Sequence, residues 1–210
     1  MITSVTFRAF PSAKFVTATV VLGTVTSTDD AYWDAITYVL SRFPELDDQG
    51  ISGYTAIATN LSGMFNISIP VSGFLGSFML PLLHPSNSSD SLGASLNKVI
   101  EEAKALHPGE FFSSVTTATY DSFWDWYESN NGPLDAGQNQ VLGSRLLDGK
   151  ALANREGLKK AYKTITSDGT PASLYLISGK KVWNSDVRGG SNAVNPGWRR
   201  VYVHSSKLSR

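Results

Sequence analysis

The densest run of chemistry-bearing side chains is Asp121-Ser-Phe-Trp-Asp-Trp-Tyr-Glu128, in which three carboxylates stand among four aromatic rings. Asp121, Asp125 and Glu128 are spaced by four and seven positions, so on a helix they share one face. Paired carboxylates beside aromatics are the apparatus of glycoside hydrolysis, one as acid and the other as base or nucleophile. That reaction needs its carboxyls roughly 5–10 Å apart across a cleft, rather than one turn apart on a solvated stripe. The favoured reading is therefore an amphipathic helix with the acids outward and Phe123, Trp126 and Tyr127 inward. A carbohydrate-active protein using Asp121, Asp125 and Glu128 stands as the lesser alternative.

Other constellations are sparser. His84, His107 and His204 stand alone in sequence, and none has the spacing of a metal pair, so no metal site is expected. The chain has no cysteine, which excludes disulfides, iron–sulfur ligation, thiolate zinc and a thiol nucleophile. A P-loop, a G-x-S-x-G elbow and a dinucleotide-binding glycine fingerprint are all missing, and nucleotide binding by this chain alone is not expected. Two strand-like segments carry polar groups whose direction alternation fixes. In 138–147 parity groups Asn139 with Arg145, and in 172–178 it sets Tyr175 opposite Leu174 and Leu176. If the leucines meet the core, Tyr175 looks out from the other face. Asn139, Arg145 and Tyr175 are thus the substrate-facing candidates. An arginine inside a strand needs a carboxylate, a ligand or water, and for Arg145 a structural ion pair ranks ahead of a substrate contact.

The elements that position these groups follow from periodicity. Helices are expected from Thr28 until Pro44 stops the first, from about Ser89 to before Pro108, and from about Asp148 to Asp168-Gly169. Strands are expected at 4–9, 15–22, about three within 51–83, and at 113–120, 138–147, 172–178 and 200–205. Strands outnumber helices about two to one, which predicts an α+β fold with an antiparallel sheet and helices packed on one face. The 210 residues read as one unit. Residues 49–89, 41 consecutive positions, contain no Asp, Glu, Lys or Arg. Prolines and Ser-Gly pairs break that stretch, so buried strands are favoured over a membrane span. Eighteen basic and eighteen acidic side chains cancel, leaving no electrostatic footprint for nucleic acid or an anionic membrane. With 27 Ser and 16 Thr, the polar surface is largely hydroxyl. Three N-x-S/T sequons, at Asn60, Asn66 and Asn87, would suit a secreted parent, although the first ten residues lack an apolar h-region behind a basic start and are not expected to act as a signal peptide.

Three segments together carry a resemblance: Ile2-Thr-Ser-Val-Thr-Phe-Arg-Ala-Phe-Pro11, Val141-Leu-Gly-Ser-Arg-Leu-Leu-Asp148 and Ser191-Asn-Ala-Val-Asn-Pro-Gly-Trp-Arg199. In order and spacing they are similar to the C-terminal half of fungal FAD-linked oxidoreductases of the berberine-bridge-enzyme-like, vanillyl-alcohol-oxidase type. The resemblance implies that residues 1–210 form the substrate-binding domain, with residues 1–11 like the strand leaving an FAD-binding domain. Residues 1–210 hold no segment resembling that FAD-binding domain, so the expectation is of a truncated chain, inactive alone and binding FAD weakly or not at all. It further implies flavin-dependent oxidation of a small organic substrate in fungal secondary metabolism, with FAD as cofactor. The glutamate that plant relatives use as base has no counterpart near Leu174–Ser178, where only Tyr175 titrates, so catalytic and cofactor-binding residues stay unassigned. A non-catalytic binding or scaffolding remnant of the same fold is the alternative. Either way, an uncovered sheet face invites self-association.

Overall fold

Among the residues described by the computed structural model (2–6, 12–24, 29–59, 72–130, 141–185 and 195–209), seven strands make one sheet. They are β1 (Phe15–Thr24), β2 (Ser52–Ala58), β3 (Ser72–Pro81), β4 (Phe112–Tyr120), β5 (Val141–Leu147), β6 (Ala172–Leu176) and β7 (Val203–Ser209). The order is β4-β1-β3-β2-β6-β7-β5, and every neighbouring pair is antiparallel. The helices are α1 (Asp29–Ser41), α2 (Phe43–Asp48), α3 (Ser89–Lys104), α4 (Phe123–Asn130), α5 (Gly149–Ala153), α6 (Arg155–Ile165) and α7 (Lys180–Trp183), with a 3-10 turn at Pro196–Arg200. This is the expected α+β architecture.

Register explains the one-sided core. Val16, Ala18, Val20 and Leu22 of β1 pair with Leu80, Phe78, Gly76 and Phe74 of β3, so all eight point to the same side. Ile57 of β2 and Ala172, Leu174 and Leu176 of β6 continue that side across the sheet. Against them pack Trp33, Ile36 and Leu40 of α1, Phe43 and Leu46 of α2, Leu92, Leu96 and Ile100 of α3, and Leu158 and Tyr162 of α6, all buried. Truncating a ring such as Phe78 to alanine at such a site costs about 3–5 kcal/mol.

Local chemistry sets the helix ends. A reciprocal capping box opens α3, with the Ser91 amide donating to Ser88 Oγ (3.0 Å) and the Ser88 amide to Ser91 Oγ (2.9 Å). Pro44 does not end the first helical segment. The break falls at Arg42, and Pro44 sits in the first turn of α2, where its missing amide proton costs nothing. The expected single helix after Asp148 is likewise two, because the Asn154 side chain accepts from the Gly157 amide (3.0 Å) and restarts the chain as α6. No strand forms at residues 4–6. Ile2 and Val5 are exposed there, and no strand pairs with them among the described residues. The remainder of the expected first strand lies outside the described residues, as do Asn60 and Asn66.

Candidate functional site

The side of the sheet away from the main helix layer is where residues converge that no core interaction uses. Tyr54 of β2 lies directly opposite Tyr175 of β6, which lies directly opposite His204 of β7. Antiparallel register therefore stacks three rings in a row across the strands. Tyr54 and Tyr175 meet edge to face at 5.5 Å and 73°, and Tyr175 and His204 lie 5.6 Å apart at 34°. Trp198 extends the row, 5.5 Å from His204.

Trp198 is held there by the 3-10 turn. Asn195 Oδ1 accepts from the Gly197 amide (2.8 Å), and the Trp198 amide donates to the Asn195 carbonyl (3.0 Å). The buried Ser178 hydroxyl just beyond β6 then donates to the Trp198 carbonyl (2.7 Å), pinning the turn to the end of the strand carrying Tyr175. Trp183 of α7 donates from Nε1 to the Val201 carbonyl (2.9 Å) and packs edge-on against Tyr202, fixing the entry to β7 and hence the place of His204.

Beside the row is a shallow concavity of about 330 Å³, lined by Thr19, Tyr54, Ala56, Leu75, Ser77, Ser173 and Tyr175, with backbone of Thr55 and Gly76. Not one of these residues is charged. At the opposite corner of the same face, the rings of Phe123 and Trp126 of α4 close over Phe15 at 6.0 and 6.2 Å, and Tyr120 stacks on Phe15 at 5.7 Å. Among the described residues the helix layer is thus confined to one face except for α4. No residue of α4 is buried, so the expected inward packing of Phe123, Trp126 and Tyr127 is replaced by a shallow aromatic cap.

The other candidates separate in space. Arg145 pairs across with Ser205 and therefore points to the helix side, away from Tyr175. It is exposed, so the desolvation cost that would demand an ion pair does not arise. With Lys207 and Ser205 it borders a different concavity, of about 460 Å³. Asn139 lies outside the described residues. Asp121 forms an exposed ion pair with Lys14 (2.6 Å), and Asp125 accepts from the Ser122 hydroxyl (2.8 Å) at the start of α4. Glu128 is exposed on the same short helix, so the three acids face no shared cleft. His107 bonds to Asp34 (3.1 Å), which also pairs with Lys159 (3.1 Å). Partial burial works to raise the Asp34 pKa, but hydrogen bonds from Lys159 and His107 outweigh it and hold the carboxyl below its usual range. That network joins α1, α6 and the segment after α3. Among the described residues, no three His, Cys, Asp or Glu side chains are grouped to hold a metal ion, and no helix is long and apolar enough to cross a membrane. His204 is the residue that sequence reasoning missed. Strand parity through 203–205 was the available signal, since it sets His204 opposite Val203 and Ser205.

No family model matches the chain. It is 27% identical over 212 aligned positions, 97% of its length, to an uncharacterized FAD-linked oxidoreductase of Arthroderma benhamiae, and 26% identical over 79% of its length to the FAD-linked oxidoreductase hmp9 of Hypomyces subiculosus. It spans about a third or less of those relatives, 34% and 26% respectively. The crystal structure of the VAO-type flavoprotein MtVAO713 from Myceliophthora thermophila C1 superposes with a TM-score of 0.77 at 20% identity, over 94% of this chain and 34% of that one. The chain is related to the fungal FAD-linked oxidoreductases and shares its fold with part of a VAO-type flavoprotein.

Proposed function

We propose that residues 1–210 form the substrate-side wall of an FAD-linked oxidoreductase acting on a small organic molecule. The observation that carries this is the bare face: among the described residues nearly all the helices lie on the other side, and this side presents Tyr54, Tyr175 and His204 in register. The flavin-binding lobe in this reading corresponds to the part of the relatives that this chain does not span. The uncharged, aromatic lining suits the face of a flat ring system and offers nothing to a diphosphate, so the nucleotide half of FAD is held elsewhere. A bound flavin supplies acceptance of a hydride equivalent from a substrate carbon. This chain's part is placement and proton handling. Tyr54 and Leu75 exclude water from one side of the substrate, Ser77 and Ser173 offer hydroxyls that orient it, and the His204 imidazole, packed against Tyr175, is the group able to take up the proton it loses.

The test is to purify the chain alone and joined to the flavin-binding portion of the Arthroderma benhamiae relative, and to read flavin absorbance. The joined protein is expected to retain stoichiometric flavin and the chain alone to be colourless. A stoichiometric flavin spectrum from the chain alone, or none from the joined protein, overturns the reading.

A further inference from the structure

We infer that Asn87 is a modification site, its side-chain amide carrying an N-linked glycan on the helix side of the sheet. The inference does not depend on the oxidoreductase reading, which concerns the opposite face. Asn87-Ser88-Ser89 has the acceptor pattern, with no proline at the middle position. Several features of the fold turn that pattern into a site. The asparagine closes a surface turn: its backbone amide donates to the His84 carbonyl (2.9 Å), and residues 83–86 are all exposed. Its side chain has a proton to spare. Nδ2 donates one proton to the Pro81 carbonyl (2.7 Å), and an amide nitrogen carries two. The neighbouring serines divide by use. Ser88 and Ser91 are committed to the capping box of α3 and Ser86 to His84 (2.8 Å), but the Ser89 side chain has no hydrogen-bond partner among the described residues. A hydroxyl that the fold leaves idle therefore stands where the acceptor pattern requires one. There is also room for a first sugar, because Asn87 borders a concavity of about 400 Å³ that Gly50, Ile51, Leu80 and His84 help to line. Leu80 pairs across with Val16 and so points to the helix layer, away from Tyr54 and Tyr175.

The step joins Nδ2 to the anomeric carbon of an N-acetylhexosamine. The donor is a lipid-diphosphate-linked oligosaccharide of the secretory lumen. Its bond from the anomeric carbon to phosphate oxygen breaks, the lipid diphosphate leaves, and Nδ2 gives up one proton. The proton that stays keeps the bond to Pro81, so the tie between the end of β3 and the start of α3 survives the modification.

The experiment expresses the 210-residue chain behind a cleavable signal peptide in yeast. Secreted and cell-retained chain are both treated with peptide N-glycosidase F in heavy-oxygen water, so a block in secretion does not obscure the readout. The enzyme converts a glycan-bearing asparagine to labelled aspartate, which peptide mass spectrometry locates. Label is expected at Asn87. Ser89→Ala should abolish it and Ser89→Thr should keep it. Ser89→Ala removes no hydrogen bond and favours helix, so it folds as wild type does. The untreated glycosylated chain should share the thermal midpoint of Ser89→Ala, since the Pro81 bond is retained. The inference is overturned by an unlabelled Asn87, whatever happens at Asn60 and Asn66, by label that persists in Ser89→Ala, or by a glycosylated chain that melts well below that variant.

Discussion

Self-association through the bare face is the prediction most open to measurement. On that face Tyr54 is 50% exposed, Ile177 41%, Leu142 56% and, at the far edge, Phe112 47%. With roughly 200 Å² per large aromatic and somewhat less per aliphatic side chain, these four leave roughly 350 Å² of apolar surface in water. A symmetric pair covering both patches would remove roughly 700 Å², worth about 17 kcal/mol gross at ~25 cal/mol per Å². Association itself costs on the order of 4–15 kcal/mol, so the net lies between about 2 and 13 kcal/mol, and the middle of that range, about 8 kcal/mol, would be a dissociation constant near micromolar. Ile177→Lys deletes roughly 70 Å² from each partner, about 3.5 kcal/mol in all, which is a weakening of roughly 300-fold. Leu142→Lys should act in the same direction. Sedimentation velocity over a wide concentration range reads this directly. The wild-type chain should sediment as a concentration-dependent mixture above 22.7 kDa, and the lysine variants as monomers. A wild-type chain that stays monomeric at every concentration, or lysine variants that associate as strongly as wild type, would refute the reasoning.

Further expectations concern stability and pH. Gly179 has φ +112°, and a Cβ there would fall onto the Asp47 carboxylate, which also accepts from the Lys180 amide (3.2 Å); Gly179→Ala should cost about 3 kcal/mol or more in urea unfolding. Asp168 is held down to about 2, chiefly by the hydrogen bond from Lys207 and then by the Thr170 amide. Its folded pKa lies below the ordinary 3.8, so its contribution is complete above about 4 and disappears as pH falls toward about 2. The thermal midpoints of wild type and Asp168→Asn should therefore converge across that window, and parallel profiles would count against the pairing. Tyr162, whose hydroxyl meets Ser205 Oγ at 2.8 Å, is pushed up to about 12 by burial, against a smaller lowering from Ser205. Burial also raises Tyr32. These raised phenols contribute fully below pH 10 and lose their contribution as pH rises through the folded value, so the part of the phenolate absorbance that Tyr162→Phe removes should appear together with unfolding rather than before it. Tyr162→Phe alone should cost about 1–2 kcal/mol by orphaning Ser205, and Tyr162→Phe with Ser205→Ala less, as a double-mutant cycle in urea would show.

The fold was largely legible because its signals are local. The apolar stripe of Leu92, Leu96, Val99 and Ile100 and the caps at Ser88 and Asp148 define helices without reference to anything distant. Alternation in 172–176 likewise separated Leu174 and Leu176 from Tyr175. What local signals do not carry is which strand lies beside which. Parity alone groups Arg145 with its strand neighbours but cannot say on which side of the sheet they emerge. The pairing of Arg145 with Ser205, and of Ser205 with Leu174, sends it to the helix side. The corner cap was illegible for the same reason, since Phe15 and α4 meet only because β4 returns alongside β1.

His204 shows how such non-local pairing creates a site. In sequence it is a lone histidine between Val203 and Ser205, indistinguishable from a surface residue. Once β7 is placed beside β6, it faces Tyr175, and once Ser178 anchors the turn at 196–200, Trp198 reaches its other side. The imidazole is thus held between two aromatic rings. Its own ring plane is meanwhile fixed by both neighbours, which is what a group receiving a proton from a positioned substrate requires. Trp198→Leu should therefore free the His204 ring without removing it. The ring-proton chemical shifts of His204 should then move toward those of an unstacked imidazole, whereas the nearby Tyr54–Tyr175 contact should keep its chemical shifts. If the His204 ring-proton shifts are the same in both proteins, the tryptophan does not hold the ring.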